Sequence, residues 1–229
     1  MTLHEEFLPE PLPGDPLALV ADWMAQASRA RVQLNPNSMV LATVAADGSP
    51  SARVVLCKDI REDAGFVTFY TNYRSRKGAE LDANPRAAAV IHWDALRRQV
   101  RLEGRVTPVT AAESDIYFAS RAWQSRIGAW ASEQSAPIGS RAELIRAASD
   151  AAQRFGAPSP TSSDATAPDP GIAIPRPPHW GGYHLWVQAV ELWVEGAGRL
   201  HDRARWTRTL TRATGGYQGS PWSATRLQP

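Results

Sequence analysis

The 229-residue chain has the composition of an ordinary globular protein, with 43% hydrophobic and 21% charged residues, which excludes a wholly disordered chain. Its 25 lysines and arginines against 23 aspartates and glutamates give a net charge of +2. That charge is too small for a protein that coats nucleic acid or binds membranes through a polybasic surface. The single cysteine, Cys57, excludes an intrachain disulfide framework and a cysteine zinc site.

The amino terminus has neither the basic region nor the apolar region of a signal peptide. No run reaches the ~18 apolar residues of a membrane span, so we expect a cytoplasmic protein with no membrane and no nucleic acid among its partners. The five histidines show no metal-ligand spacing, and we expect no metal site.

The predicted elements start with a proline-rich extended arm over residues 1–15, after which Asp15 caps a helix that begins at Pro16. Short β-rich runs follow, and Asp47-Gly48 between the first two is typical of a hairpin turn. Strands are predicted at 39–44, 52–58, 66–71, 87–93, 99–106, 182–195 and 204–211, and further helices at 75–81, 111–120, 125–132 and 141–155.

The stretch 157–170 is rich in Pro, Ser, Thr and Ala, which predicts a flexible insertion. Strands at short spacing with helices between them predict a mainly β protein with helices, an antiparallel barrel of the α+β class. Because the insertion separates no second core, we expect one domain over residues 16–229.

Two cation-rich segments lie in the first half of the chain. Arg53 and Lys58 flank an apolar strand, which suits either a rim facing an anionic ligand or a solvated edge strand guarded by charges. Strict alternation places them on opposite faces, so contact with one ligand needs a bulge, a strand end or a second subunit. Ser75, Arg76 and Lys77 stand at a helix start that suits a phosphate, although a capped helix with exposed basic residues fits equally.

Two further polar segments lie later. Tyr117, Arg121 and Ser125 are four residues apart, and at roughly 100° per residue one continuous helix aligns them as a phosphate site. Chance also produces such spacing. Residues 199–203 (RLHDR) form a polar cluster after an apolar strand, which is also typical of a charged turn. Two separate phosphate sites fit a phosphorylated cofactor plus a phosphorylated substrate.

Five long motifs, taken together, resemble the pyridoxamine/pyridoxine 5′-phosphate oxidase family. They are FYTNYRSRKGAELDANP (69–85), RRQVRLEG (97–104), SRAWQSRIGAWASEQS (120–135), IPRPPHWGGY (174–183) and RLHDR (199–203). The resemblance implies an FMN-binding split β-barrel of antiparallel Greek-key type that forms a homodimer. It also implies oxidation of pyridoxine or pyridoxamine 5′-phosphate to pyridoxal 5′-phosphate, by hydride transfer from the substrate C4′ to flavin N5. Oxygen is then the acceptor and gives hydrogen peroxide, and the amine substrate releases ammonia.

The resemblance also implies which residues bind each group. The FMN ligands are Arg53, Val54, Val55, Leu56, Cys57, Lys58, Tyr70, Thr71, Arg76, Lys77, Gln99, Gln134, Ser135, Trp193 and Arg203. The substrate ligands are Lys58, Tyr117, Arg121, Ser125, Arg199, Leu200 and His201, of which Arg199 and His201 lie over the pyridine ring as the catalytic pair.

Three departures from the family pattern stand out. Residues 4–9 are acidic where many members have a basic segment that helps to cover the substrate, and Ala122 replaces a proline, which lets the Tyr117 helix run on. Val194 removes an amide beside Trp193. Two other functions stay open, a sibling flavin oxidase acting on a substrate such as a phenazine precursor, and a non-catalytic protein that binds FMN or pyridoxal phosphate.

Overall fold

The computed structural model describes residues 7–158 and 171–229, which form two compact units. The first unit contains Ala83–Thr107, Tyr183–Pro229 and the described residues up to Phe69; the second contains Tyr70–Asp82 and the described part of Pro108–Gly182. The single domain over 16–229 stays a prediction. Residues 1–6 of the predicted arm and 159–170 of the predicted insertion lie outside the described residues.

Side-chain caps define where several helices begin. Asp15 accepts a hydrogen bond from the Leu17 amide at 2.8 Å, and Pro16 takes the first helical position, as predicted. Thr110 and Ser140 cap two later helices by accepting from amides three residues on. The helices of the described ranges are α1 (Pro16–Ala30), α2 (Arg76–Ala83), α3 (Ala111–Ala119), α4 (Trp123–Ala131) and α5 (Arg141–Arg154).

The strands build one large sheet and one small hairpin. They are β1 (Ser38–Val44), β2 (Pro50–Leu56), β3 (Asp59–Arg61), β4 (Phe66–Asn72), β5 (Arg86–Trp93), β6 (Arg98–Pro108), β7 (Trp180–Val194), β8 (Asp202–Thr207), β9 (Leu210–Ala213), β10 (Gly216–Gly219) and β11 (Ser223–Leu227). The sheet order is β11-β8-β7-β6-β5-β1-β2, β4 pairs with β3 and β7, and β9 pairs with β10. The pairs β1–β2, β1–β5, β5–β6, β7–β8 and β8–β11 are antiparallel, which confirms the predicted mainly β, antiparallel class.

The prediction of one continuous strand over 204–211 is wrong, because the chain leaves the sheet at Arg208 and Thr209. The Arg208 guanidinium donates to the carbonyl oxygens of Val187 and Gly65, both at 2.8 Å, and Thr209 N donates to Ser220 Oγ at 3.1 Å. These contacts come from distant residues, so the local β pattern does not reveal the break. The short strands β3, β10 and β11 are also absent from the sequence-based prediction.

Each unit has its own apolar core. In the first unit Leu41, Ile91, Leu185 and Trp206 are fully buried on four strands of the sheet. In the second unit α3, α4 and α5 contribute to one buried cluster, and this cluster supports the aromatic side chains described below. Its members are Phe118, Trp123, Ile127, Ala152, Ile174 and Trp180.

Gly104 on β6 marks a close approach between two strands. A Cβ at this position would lie 1.9 Å from the Trp186 carbonyl oxygen, whereas a Cβ at Gly128 on α4 meets nothing within 4 Å. We expect Gly104→Ala to lower the free energy of unfolding by about 1–3 kcal/mol, because β6 or β7 must shift. The matched control Gly128→Ala should leave it unchanged or raise it by up to ~1 kcal/mol, because alanine is the better helix former. Urea unfolding of both variants measures the difference, and equal stabilities would contradict the close approach.

Candidate active site

A buried lysine and three neutral oxygens form a group in the second unit that we call the Lys77 cluster (Thr71, Ser75, Lys77 and Gln134). Lys77 Nζ donates to Gln134 Oε1 at 2.7 Å and to Thr71 Oγ1 and Ser75 Oγ, both at 3.1 Å. The Thr71 hydroxyl also donates to Gln134 Oε1, at 3.1 Å. Lys77 is only 7% exposed, so these contacts hold a desolvated positive charge among hydroxyl and amide groups. A buried positive charge held in this way suits an anion.

The Lys77 cluster is built by the turn that starts α2. The Ser75 hydroxyl donates to the Asn72 carbonyl at 2.7 Å and accepts from the Gly78 amide at 3.4 Å, which is the contact of a helix N-cap. A Cβ at Gly78 would lie 1.9 Å from the Tyr73 carbonyl oxygen, so the turn packs closely on the helix. Arg76, another predicted flavin ligand, is exposed and pairs through Nε with Glu80 Oε1 at 2.8 Å.

A stack of three parallel aromatic rings also lies in the second unit. The Tyr70 and Tyr117 rings are 3.8 Å apart at 15°, and the Trp180 ring lies 5.6 Å from Tyr70 at 9°. The Arg121 guanidinium carbon lies 4.6 Å from the centre of the Trp180 ring. Among the described residues, the buried Arg121 Nη1 has no hydrogen-bond partner, and burial lowers the pKa of this guanidinium from its ordinary value. The stack therefore presents a desolvated cation.

The single continuous helix predicted through Tyr117, Arg121 and Ser125 is wrong. The helix α3 ends at Ala119, and Ala122 is not helical (φ −51°, ψ 138°) before α4 begins at Trp123. The Ser120 hydroxyl donates to the Tyr117 carbonyl at 2.8 Å, which occupies a carbonyl of the last helical turn. Tyr117 and Arg121 still meet at the Trp180 ring, because Arg121 folds back from the break onto it. Ser125 is exposed on α4.

The predicted flavin segment 53–58 begins on β2 and continues beyond its end. Arg53 is half-buried, and its guanidinium donates to the Thr43 and Ser51 hydroxyls. The strand ends at Leu56, after which the Cys57 amide donates to Asn37 O and the Lys58 amide donates to Thr68 O, both at 2.8 Å. Strand alternation therefore does not extend to Lys58. Of the three explanations considered for contact of both cations with one ligand, the structure shows the strand end.

The apolar residues of this segment differ in exposure. Val54 is exposed, whereas Val55 and Leu56 are half-buried and Cys57 is buried. Burial raises the pKa of the Cys57 thiol to about 12, so the thiol is not a reactive nucleophile at neutral pH.

The end of β7 and the loop into β8 bring several predicted residues together in the first unit. The Trp193 and His201 rings lie 4.7 Å apart at 43°, and the Gly196 amide donates to His201 Nδ1 at 3.3 Å. Arg203 pairs in register with Trp193, while Arg199 and Leu200 are exposed in the loop. Gln99 lies on β6 in register with His92 of β5.

Two predicted ligands have a left-handed backbone. Ser135 has φ 78° and Arg199 has φ 65°, and only four non-glycine residues among the described ones have a positive φ. Such conformations are costly for residues with a Cβ and concentrate at functional sites. They are consistent with a binding role for both loops.

Sequence reasoning missed two members of these arrangements. Trp180 is not among the predicted site residues, yet the Arg121 guanidinium packs on its ring; the place of Trp180 in the motif 174–183 was the available signal. Glu191 carried no signal, although its carboxylate accepts hydrogen bonds from Arg101 and Arg203. In the described ranges, no group of three or more His, Cys, Asp or Glu residues could hold a metal ion, and no helix is long and apolar enough to cross a membrane.

Two family profiles match the chain. Residues 24–155, more than half of it, match the profile described as pyridoxamine 5′-phosphate oxidase. Residues 180–229 match the profile described as the pyridoxine 5′-phosphate oxidase C-terminal dimerisation region.

Curated relatives match over nearly the whole chain. The pyridoxine/pyridoxamine 5′-phosphate oxidase of Burkholderia orbicola is 47% identical, covering 94% of this chain and 89% of the relative. The protein of the same name from Caulobacter vibrioides is 44% identical, covering 98% of this chain and 90% of the relative.

Solved structures agree with the fold. PhzG from Burkholderia lata, in complex with tetrahydrophenazine-1-carboxylic acid, superposes with a TM-score of 0.78 at 30% identity and covers 95% of this chain and 94% of its own. A pyridoxamine 5′-phosphate oxidase-related, FMN-binding protein from Nostoc punctiforme gives a TM-score of 0.65 at 17% identity, covering 93% of this chain and 96% of its own. The predicted split-barrel fold is confirmed. The chain belongs to the pyridoxamine 5′-phosphate oxidase family.

Proposed function

We propose that this protein is an FMN-dependent oxidase that converts pyridoxine or pyridoxamine 5′-phosphate to pyridoxal 5′-phosphate. The proposal rests on one observation, the state of the Arg121 guanidinium. It lies against the Trp180 ring, and its buried Nη1 has no hydrogen-bond acceptor among the described residues. A desolvated guanidinium binds a phosphate through charge-assisted hydrogen bonds. The Tyr117 ring, stacked beside it, adds a flat apolar surface to the same place.

The Lys77 cluster fits the phosphate of FMN. The buried ammonium supplies the charge next to the start of α2, and the Thr71 and Ser75 hydroxyls hold it there by accepting from Nζ. FMN, when bound, supplies the acceptor for a substrate hydride and passes the electrons to oxygen. This proposal includes the remaining predicted flavin ligands, which are Arg53, Val54, Val55, Leu56, Cys57, Lys58, Tyr70, Arg76, Gln99, Gln134, Ser135, Trp193 and Arg203.

The loop before β8 supplies the proposed catalytic pair, Arg199 and His201. Because His201 Nδ1 accepts from the Gly196 amide, the neutral imidazole carries its proton on Nε2. His201 therefore presents a hydrogen-bond donor at Nε2 while its ring stays tilted against Trp193. The exposed Arg199 adds a cation in the same loop for the substrate, with Leu200 and Lys58 as further proposed substrate contacts.

We also propose that the protein acts as a homodimer. The match of residues 180–229 to a C-terminal dimerisation region supports this assembly, and two-fold dimers are the commonest oligomers.

A second candidate is the oxidation of a phenazine precursor, favoured by the structural similarity to PhzG. Both substrate types carry an anionic group that Arg121 could bind, so the site chemistry alone does not separate them. The higher identity to the pyridoxine/pyridoxamine 5′-phosphate oxidases, 47% against 30%, supports the vitamin B6 substrate.

Peroxide release from purified protein distinguishes the candidates. We expect turnover with pyridoxine 5′-phosphate, and a kcat/KM about 10–150-fold lower with unphosphorylated pyridoxine, because the guanidinium loses a charged partner. A reduced phenazine carboxylate should give no peroxide above its rate with free FMN. Turnover of that compound alone would favour the second candidate. A bound flavin spectrum with no peroxide from any substrate would favour a non-catalytic binding protein.

A further inference from the structure

A row of charged side chains crosses three neighbouring strands of the first unit. Arg101 and Glu103 lie on β6, Glu191 on β7, and Arg203 and Arg205 on β8, and one residue separates the two members on β6 and the two on β8. This spacing places each strand's charged side chains on one face of the sheet. With three guanidinium groups and two carboxylates, the row has a net charge of +1.

Glu191 is the buried centre of the row, with a side chain only 6% exposed. Its Oε1 accepts from Arg203 Nη2 at 2.7 Å and from Arg203 Nε at 3.2 Å, and its Oε2 accepts from Arg101 Nη1 at 2.9 Å. A buried carboxylate is tolerated only when its oxygens are paired and hydrogen-bonded, and here both are.

These bonds fix the plane of the Arg203 guanidinium. Two of its nitrogens bind Glu191, and Nη1 donates to the Gln228 carbonyl at 2.9 Å. A guanidinium held through all three nitrogens cannot rotate about its last bond without breaking a contact. Its remaining N–H donors are therefore held in fixed directions.

We propose that Glu191 is a positioning residue, which fixes the Arg203 guanidinium in the orientation that binds FMN. The inference rests on the proposed function, because Arg203 is one of the flavin ligands proposed there. Glu191 itself touches no substrate or cofactor and acts through Arg203. Loss of its charge frees the guanidinium to turn toward other acceptors, so FMN binding weakens.

Glu103 offers a matched control within the same row. Its carboxylate accepts from Arg101 Nη2 at 3.2 Å and from Arg205 Nη2 at 2.9 Å, and it has no contact with Arg203. Its side chain is 35% exposed. Removing the charge of Glu103 changes the charge of the row by the same amount as removing that of Glu191. The two variants therefore separate an effect of charge from an effect of positioning.

The experiment measures the FMN dissociation constant from flavin fluorescence on serial dilution of the loaded protein. The variants are Glu191→Gln, Glu103→Gln, Arg203→Gln and the double variant of Glu191 and Arg203. We expect Glu191→Gln to raise the constant about tenfold and Glu103→Gln to change it less than about twofold. In the Arg203→Gln background, Glu191→Gln should raise the FMN dissociation constant by less than about a further twofold, because the arginine that Glu191 positions is gone.

Each outcome decides a different part of the inference. If Arg203→Gln weakens FMN binding and Glu191→Gln does not, the positioning role is wrong and the proposed function stands. If Arg203→Gln leaves FMN binding unchanged, the flavin role of Arg203 is wrong and the inference fails with it. If Glu191→Gln and Glu103→Gln raise the dissociation constant equally, Glu191 acts only through its charge and does not position Arg203. Should Glu191→Gln not fold, Glu191→Asp takes its place, and an unchanged dissociation constant there overturns the proposal.

Discussion

Replacing Lys77 with methionine is expected to release FMN from the protein. The ammonium is buried and is the charge at the centre of the Lys77 cluster. A hydrogen bond to a charged group contributes ~1.5–3 kcal/mol, so its loss should raise the FMN dissociation constant about 10–150-fold. Methionine preserves the length and burial of the side chain, which keeps the effect on packing small. The flavin that remains with the purified protein, measured by absorbance, gives the result.

Arg74→Met is the matched control for this prediction. Arg74 is an exposed cation in the same turn, three residues before Lys77, and it is not among the proposed flavin ligands. A general effect of positive charge on FMN would appear in both variants, whereas a specific contact appears only at Lys77. Wild-type FMN content in Lys77→Met would assign the Lys77 cluster a purely structural role.

Elements controlled by neighbouring residues could be predicted from the sequence. The helix α1 begins at Pro16 after the Asp15 cap, and the Asp47-Gly48 turn joins β1 to β2, because both signals act within a few residues. The Ser75 cap of α2 could be predicted for the same reason, and Lys77, two residues further on, contacts that cap; binding of a phosphate by this segment stays a prediction.

Features that depend on distant residues could not be predicted. The residues between α3 and α4 include neither glycine nor proline, so helical spacing alone continues through the break. There Arg121 packs on Trp180, which is 59 positions further along the chain. Likewise Glu191 meets Arg101 from 90 positions away, and the sequence gives no sign of that contact. Periodicity predicts an element, whereas its end and its partners depend on the tertiary contacts of particular side chains.

The helix break changes how Arg121 is held in the proposed substrate site. On a continuous helix this residue would align with Tyr117 and Ser125, but in the structure its guanidinium is held by the faces of Trp180 and Phe118 instead. These rings orient the cation without neutralising it, because a π face is a weak partner compared with a carboxylate. Nη1 has no hydrogen-bond partner among the described residues, which is why we propose it as a donor to the substrate phosphate.

Arg121→Ala is accordingly expected to lower kcat/KM for pyridoxine 5′-phosphate about 10–150-fold, because a charge-assisted phosphate contact contributes ~1.5–3 kcal/mol. Bound FMN should stay at the wild-type level, since Arg121 is not among the proposed flavin ligands. Turnover of unphosphorylated pyridoxine should change little, because that substrate has no phosphate to lose. Arg121→Lys should restore only part of the activity, because an ammonium keeps the charge without the planar fork.

Peroxide release with the two substrates and flavin absorbance, all from one preparation, test this set of expectations. Equal losses on pyridoxine and its phosphate ester would show that Arg121 supports the fold of the aromatic stack and does not bind the phosphate. Loss of FMN from Arg121→Ala would place the residue at the flavin. A loss of activity on the phosphate ester alone would mean that Arg121 binds the phosphate, because the two substrates differ only in the group that the guanidinium is proposed to hold.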